Sequence, residues 1–226
     1  MSNEEWKRKA AASAVRMVES GMVVGLGSGS TAAIFAELLA KRMKEGLRVV
    51  GVPTSLGTAS AARRLGIPLS DPTSRLKIDL AVDGADEVDG ELNLVKGLGG
   101  ALVREKIVAA AARQVVIIVD ESKLVDTLGT RTPVPVEVVA FGWSLTAERL
   151  EGLGCVAALR RKGTVPVVSD NGNYIINCDF GPITNPVEVE READAIPGVV
   201  EVGLFCGVAD LVLVGGENGV RKLERG

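Results

Sequence analysis

Apolar positions in the first half of the chain alternate between two periods. Trp6, Ala10, Ala14, Met17 and Val18 recur at helical spacing and stop at Gly21, after which Met22-Val23-Val24-Gly25-Leu26 is a short unbroken apolar run, the pattern of a buried strand. A second helical stripe starts near Thr31 with Ile34, Phe35, Leu38, Leu39 and Met43; Gly46 ends it and Val49-Val50-Gly51-Val52 follows as another strand. The same alternation predicts a helix over 59–65, strands over 78–82 and 115–119, and an Ala-rich helix over 101–113. Strands alternating with helices imply a parallel sheet covered on both faces, an α/β core.

The rhythm changes after residue 130. Residues 134–139 read as a strand, 146–153 as a helix and 155–159 as a strand. Val165-Pro166-Val167-Val168 and Tyr174-Ile175-Ile176 then flank Ser169-Asp170-Asn171-Gly172-Asn173, whose Asn-Gly is a hairpin signal. A helix over 188–196 and a strand over 199–205 complete a β-α-β-β-α-β order, that of a small ferredoxin-like α+β domain inserted into the core. The apolar run 208–214 is expected to rejoin the first sheet, giving a core of residues 1–130 plus 206–226 and an insert of 131–205.

Composition narrows the function. With 226 residues, 46% of them apolar, the chain has ample material for a buried core, and a net charge of −3 without a long basic run argues against a nucleic-acid partner. No segment has the uncharged apolar length of a membrane span, and the start Met1-Ser2-Asn3-Glu4-Glu5 lacks a signal-peptide core. Three cysteines, Cys155, Cys178 and Cys206, at unrelated spacings fit a reduced compartment, so a cytoplasmic location is expected. There is no histidine. Proton chemistry must therefore fall to Asp, Glu, Lys, Cys or Tyr, no zinc-type ligand set can be assembled, and a mechanism without metal or cofactor is expected.

Four segments carry candidate chemistry. Gly25-Leu26-Gly27-Ser28-Gly29-Ser30-Thr31 spans a strand end and a helix start, where backbone N–H groups and hydroxyls suit a phosphate; the bland alternative is a plain turn with Ser30 or Thr31 as helix cap. Its spacing matches neither the dinucleotide glycine pattern nor the nucleoside-triphosphate Gly-Lys pattern, which favours a phosphorylated small molecule. Asp83 and Asp86 follow an apolar strand, at the edge where open α/β sheets bind ligands, unless they are solvated turn acids. Glu105 has Ala101, Leu102, Val108 and Ala109 as its helical neighbours, an apolar face on which a carboxylate is costly unless paired or used; an exposed first turn shared with Arg104 and Lys106 is the alternative. Just before it, Gly97, Gly99 and Gly100 permit close backbone approach and Lys96 can neutralise an oxyanion, while Lys123 is a further cation at a strand end or a solvated loop lysine.

Taken in order with Glu121-Ser122-Lys123, Pro135-Val136-Glu137-Val138, Ser169 to Asn173 and Ala195-Ile196-Pro197-Gly198-Val199-Val200, these segments resemble the type A ribose-5-phosphate isomerases over nearly the whole chain. The resemblance implies a Rossmann-like core with a small inserted domain, a homodimer or homotetramer, and a sugar phosphate as the small-molecule substrate. It assigns phosphate binding to Ser28, Gly29, Ser30 and Thr31 and the base to Glu105. It assigns substrate contacts to Asp83, Gly84, Ala85 and Asp86, to Lys96, Gly97, Leu98 and Gly99, and to Lys123. Leu98 departs from the family, where many members have glycine, and its side chain is expected to crowd the turn. The implied reaction interconverts ribose 5-phosphate and ribulose 5-phosphate through an enediolate, with Glu105 moving the proton, Lys96 stabilising the oxyanion and Asp83 and Asp86 assisting ring opening. The competing reading is a sugar-phosphate sensor of related fold, for which an output segment would be expected; no basic helix-turn-helix precedes residue 20 and no tail follows Gly226.

Overall fold

The computed structural model describes residues 3–73 and 75–225. In chain order it forms α1 (Asn3–Val15), β1 (Val23–Leu26), α2 (Ser30–Lys44), β2 (Val50–Pro53), α3 (Leu56–Arg64), β3 (Leu80–Asp83), β4 (Glu87–Val88), β5 (Leu94–Val95), α4 (Leu102–Ala111), β6 (Val115–Asp120), a 3-10 turn (Glu121–Lys123), β7 (Val134–Val138), α5 (Trp143–Glu151), β8 (Val156–Leu159), β9 (Arg161–Lys162), β10 (Val165–Pro166), β11 (Tyr174–Asp179), α6 (Pro186–Asp194), β12 (Val199–Val202), β13 (Leu204–Phe205), β14 (Leu211–Gly216) and β15 (Gly219–Glu224).

The chain divides into two compact units. The first comprises residues up to Ala85, Arg104–Lys123 and those from Val208 onward. It holds a six-stranded sheet of order β15-β14-β6-β3-β1-β2, parallel except for the edge strand β15. Every residue of β3, β6 and β14 is buried, as a parallel sheet covered on both faces requires, and this is why these strands read as unbroken apolar runs. Ala10 and Ala14 of α1, Phe35 and Leu39 of α2, and Val24, Val82, Val116, Ile118 and Leu213 of the strands form one core cluster. Each large side chain here contributes roughly 1.5–3 kcal/mol by leaving water. Close helix–sheet approach is written in glycine: a Cβ on Gly215 would stand 1.9 Å from the Trp6 carbonyl oxygen, and one on Gly25 would stand 2.6 Å from Val108 Cγ1 of α4.

The second unit comprises Asp86–Val103 and Leu124–Gly207. Its main sheet has the order β12-β7-β11-β8 with every neighbour antiparallel, which is the ferredoxin-like arrangement for β7-α5-β8-β11-α6-β12. Val136, Val138, Leu150, Ile176, Cys178 and Val202 pack its core. This division differs from the expected boundary, because Asp86–Val103 and the chain from Leu124 to residue 130 group with the insert. The reason is a small three-stranded sheet, β13-β5-β4, that ties residues 87–95 to Leu204 and Phe205. Fully buried Glu87 adds to it, its carboxylate accepting the N–H groups of Gly129, Arg131 and Thr132 at 2.6, 2.7 and 2.7 Å.

Two local expectations are corrected. The Asn-Gly turn forms, with Ser169 N donating to Asn173 O at 2.8 Å, but its flanks are not two partnered strands. Val165–Pro166 pairs back onto Arg161–Lys162, while Tyr174–Asp179 inserts between β7 and β8, leaving a single bridge between Val168 and Tyr174. The predicted strand 199–205 is two strands in different sheets, broken at Gly203, whose absent Cβ makes room for the carbonyl oxygens of Lys96 and Pro135.

Candidate functional site

In the first unit β1 leads sideways to β2, whereas β3 leads the other way to β6, so the sheet has its switch point at the carboxyl ends of β1 and β3, where open α/β sheets bind ligands. Ser28 to Thr31 follow β1, Asp83 ends β3, and Lys123 closes the 3-10 turn after the neighbouring β6. Asp83 is 7% exposed, and its Oδ1 accepts the Ser28 N–H at 3.0 Å and the Gly84 N–H at 2.7 Å. Gly27 is required for this arrangement, since a Cβ there would lie 2.1 Å from Asp83 Oδ1. The sequence placed these two segments at one sheet edge, and the structure joins them by hydrogen bonds.

The alternative of Ser30 or Thr31 as a cap does not hold. Helix α2 starts at Ser30 with Gly29 as its N-cap at φ 91°, and the cap makes no side-chain hydrogen bond. The N-terminal N–H groups and the positive end of the helix dipole are therefore presented together with the Ser30 hydroxyl, a suitable cradle for an anion. Helix α1 adds Lys7, whose Nζ donates to Ser30 Oγ at 3.1 Å. Thr54 Oγ1 reaches Leu26 O and Thr58 Oγ1 reaches Gly27 O, both at 3.1 Å. Ser28 Oγ stands 2.8 Å from Thr54 Oγ1, a contact in which either hydroxyl can donate.

Glu105 lies in the first turn of α4 and is 6% exposed, while Arg104 and Lys106 are half-buried. The exposed-turn alternative for Glu105 is thereby excluded. Its burial follows from the apolar neighbours at the start of and along its helix, among them Ala101, which precedes α4, and Leu102 and Val108 on it, all buried.

The remaining expected site residues belong to the second unit. Lys96 directly follows β5, is 4% exposed, donates its backbone N–H to Gly203 O at 2.8 Å and holds its ammonium 5.4 Å from the Phe205 ring centroid, a cation–π geometry. Gly97 and Gly100 take φ of 99° and 81°, which glycine alone adopts without strain, and Gly100 N closes the turn on Gly97 O at 3.0 Å. Leu98 turns its side chain outward, 39% exposed, rather than into the turn. Its N–H donates to Asp86 Oδ2 at 3.0 Å. The structure thus separates the two aspartates: Asp83 braces the hydroxyl loop, Asp86 braces the glycine turn. Among the described residues no cluster of three or more His, Cys, Asp or Glu stands close enough to hold a metal ion, and no helix is long and apolar enough to cross a membrane.

Thr54 and Thr58 were not singled out from sequence, and Lys7 was considered there only as a fallback location for the phosphate. Lys7 sits among the charges of α1 and the two threonines in a polar stretch, so spacing along the chain carries no sign that they converge on the loop after β1.

The chain is 54% identical over 227 residues to the ribose-5-phosphate isomerase A of Thermomicrobium roseum, covering all of this chain and 96% of that protein. Among solved structures it matches a D-ribose-5-phosphate isomerase in complex with phospho-erythronic acid, with a TM-score of 0.96 and 45% identity over the full length of both chains. The ribose 5-phosphate isomerase A of Methanocaldococcus jannaschii superposes with a TM-score of 0.94 at 44% identity, covering 99% of this chain and 100% of that one. The profile of the ribose 5-phosphate isomerase A (phosphoriboisomerase A) family matches residues 50–219. The chain belongs to the ribose 5-phosphate isomerase A family.

Proposed function

We propose that this protein interconverts D-ribose 5-phosphate and D-ribulose 5-phosphate through an enediolate; the relatives it matches are named ribose-5-phosphate isomerases. The observation that carries the reading is Glu105, 6% exposed in the first turn of α4 and flanked by apolar side chains, the fixed setting that a base for proton transfer at carbon needs. No observation favours the sensor.

Glu105 removes the C2 proton of the open-chain aldose, the electron pair shifts toward the carbonyl oxygen, and the same carboxyl returns the proton to C1. Lys96 stabilises the negative oxygen that develops. Asp83 assists ring opening and hydroxyl proton movement, whereas Asp86 acts mainly by holding the Leu98 N–H. The phosphate lies on the Gly29, Ser30 and Thr31 N–H groups at the start of α2, with the hydroxyls of Ser30 and Thr31 and the Lys7 ammonium; Lys123 is a further cation. The Ser28 hydroxyl, 2.8 Å from Thr54 Oγ1, completes the loop that faces the phosphate. Gly84, Ala85, Gly97, Leu98 and Gly99 contribute backbone contacts. The reaction uses no cofactor, and the working form is a homodimer or homotetramer in the cytoplasm, the assembly to be read by light scattering.

Glu105→Gln is the test. It keeps shape and removes the base, so turnover on ribose 5-phosphate should fall about 10²- to 10⁴-fold with KM little changed. Wild type should wash solvent deuterium into the substrate's C2 position; a Gln variant that retains both isomerisation and exchange would transfer the base role to Asp83 or Asp86.

A further inference from the structure

We propose that Arg160 is a positioning residue of the reaction: it fixes the peptide planes of the turn Gly97-Leu98-Gly99 that follows Lys96, and so sets where the catalytic ammonium and the turn's N–H groups stand. The inference rests on the role given above to Lys96 and its turn.

Arg160 sits between β8 and β9, its backbone held by N–H donation to Ile175 O and by acceptance from Val167 N. Its guanidinium makes a four-point grip within the second unit. Nε and Nη2 both donate to Asn177 Oδ1, at 3.1 and 2.6 Å, and Nη1 donates to Gly97 O at 3.2 Å and Leu98 O at 2.9 Å. Asn177 is on β11 between Ile176 and Cys178, both fully buried in the domain core, so strand alternation turns its amide to the opposite face of the sheet. The fork is thereby anchored to a rigid strand at one end and to two consecutive turn carbonyls at the other, which a planar guanidinium can do and a point-charge ammonium cannot.

The geometry decides more than attachment. The Gly97–Leu98 peptide is held from both sides, its carbonyl by Arg160 and its N–H by Asp86 Oδ2 at 3.0 Å. The next peptide has its Leu98 carbonyl on Arg160; all described peptides are trans, so the Gly99 N–H points away from the guanidinium. Three of the four residues from Gly97 to Gly100 are glycine, the residue with most backbone freedom to lose, and a turn of that composition does not hold one conformation unaided. Burial lowers the Arg160 pKa and the nearby Asp86 carboxylate opposes that, so the grip is charge-assisted. With four of its five N–H groups committed within the protein, Arg160 acts through the turn and is not a ligand for the substrate.

The experiment compares wild type, Arg160→Ala, Arg160→Lys and Asn177→Ala in the ribose 5-phosphate assay, with melting temperature measured in parallel. Arg160→Ala should lose about 30- to 100-fold in kcat with KM within about threefold, because the phosphate handle on the first unit is untouched. Arg160→Lys should recover little, Asn177→Ala should fall between wild type and Arg160→Ala, and added ethylguanidinium should restore kcat of Arg160→Ala about tenfold without moving its melting temperature. Retention of kcat within twofold in Arg160→Ala would overturn the proposal. So would a loss of kcat that tracks a lower melting temperature and is not rescued, which would make Arg160 a scaffold residue only. If Arg160→Ala does not fold, Asn177→Ala decides alone: unchanged kcat overturns the proposal, and a fall in kcat at unchanged KM and melting temperature supports it. Inactive wild type would count against the isomerase reading itself, not against the grip.

Discussion

At the scale of single residues, the proposed mechanism separates groups that bind from groups that act. In that mechanism the cradle at the start of α2 holds the phosphate, a part of the substrate remote from the reacting carbons, so its interactions are alike in ground and transition states. Thr31→Ala should raise KM for ribose 5-phosphate and weaken inhibition by inorganic phosphate, with kcat changed little. Ser28→Ala should raise KM and weaken phosphate inhibition in the same way. Unchanged phosphate inhibition in Ser28→Ala would place Ser28 outside the phosphate cradle. Lys96→Ala removes a charge that matters mainly as the oxyanion develops, and kcat should drop by about two to three powers of ten while binding of a substrate analogue weakens less. Near-full kcat would move that role to Lys123. Glu105 was legible as a candidate because its neighbours three and four positions away, Ala101, Leu102, Val108 and Ala109, are all apolar, an unusual setting for a carboxylate. Arg160 was not, because Arg160-Arg161-Lys162 reads as a solvated charge run until Asn177 and the glycine turn are brought to it.

At the scale of elements, the depth at which α4 lies on the sheet determines where Glu105 stands. Gly25 of β1 sets that depth, since any side chain there would meet Val108 Cγ1 at 2.6 Å. Gly25→Ala should cost about 1–3 kcal/mol by overpacking, lowering the melting temperature by several degrees, and should also reduce kcat because the helix carrying the base is pushed outward. Lower stability with unchanged kcat would mean that the sheet, not α4, absorbs the strain. The longer elements were readable from periodicity because each buries one stripe or one whole strand. The two-residue strands β4, β5, β9, β10 and β13 are too short to carry a period, and they were missed or misjoined. The hairpin error has the same origin: an Asn-Gly turn specifies a reversal, whereas the partner of each flank is chosen by side chains far away, here by Glu137 of β7, whose Oε1 accepts from Ser169 Oγ at 2.8 Å and from the amides of Asn171 at 3.0 Å and Asn173 at 2.9 Å.

At the scale of the whole molecule, a sequence without histidine and a fold with no metal-sized acidic or thiol cluster among its described residues predict that exhaustive chelation leaves kcat intact; loss restored by a single divalent ion would refute this. The sequence by itself determined the class of the fold and the chemistry available to it. Periodicity follows from which faces must leave water, and the absence of histidine confines acid–base work to the remaining side chains. It also determined the carboxyl-edge position of Ser28, Asp83 and Lys123, since a residue that follows an apolar strand in a parallel sheet has that edge as its only place. Tertiary structure alone decided which unit owns residues 86–103, because that depends on the three-stranded ladder from Glu87 to Phe205 and on the carboxylate of Glu87 capturing N–H groups more than forty residues away. It also gave the Asp83 and Asp86 carboxylates different partners, and brought Lys7 to Ser30 and Arg160 to the glycine turn. Hydrogen bonds are satisfied by whatever the packed chain brings within about 3 Å, and that proximity is a property of three dimensions with no counterpart in the spacing of residues along the chain.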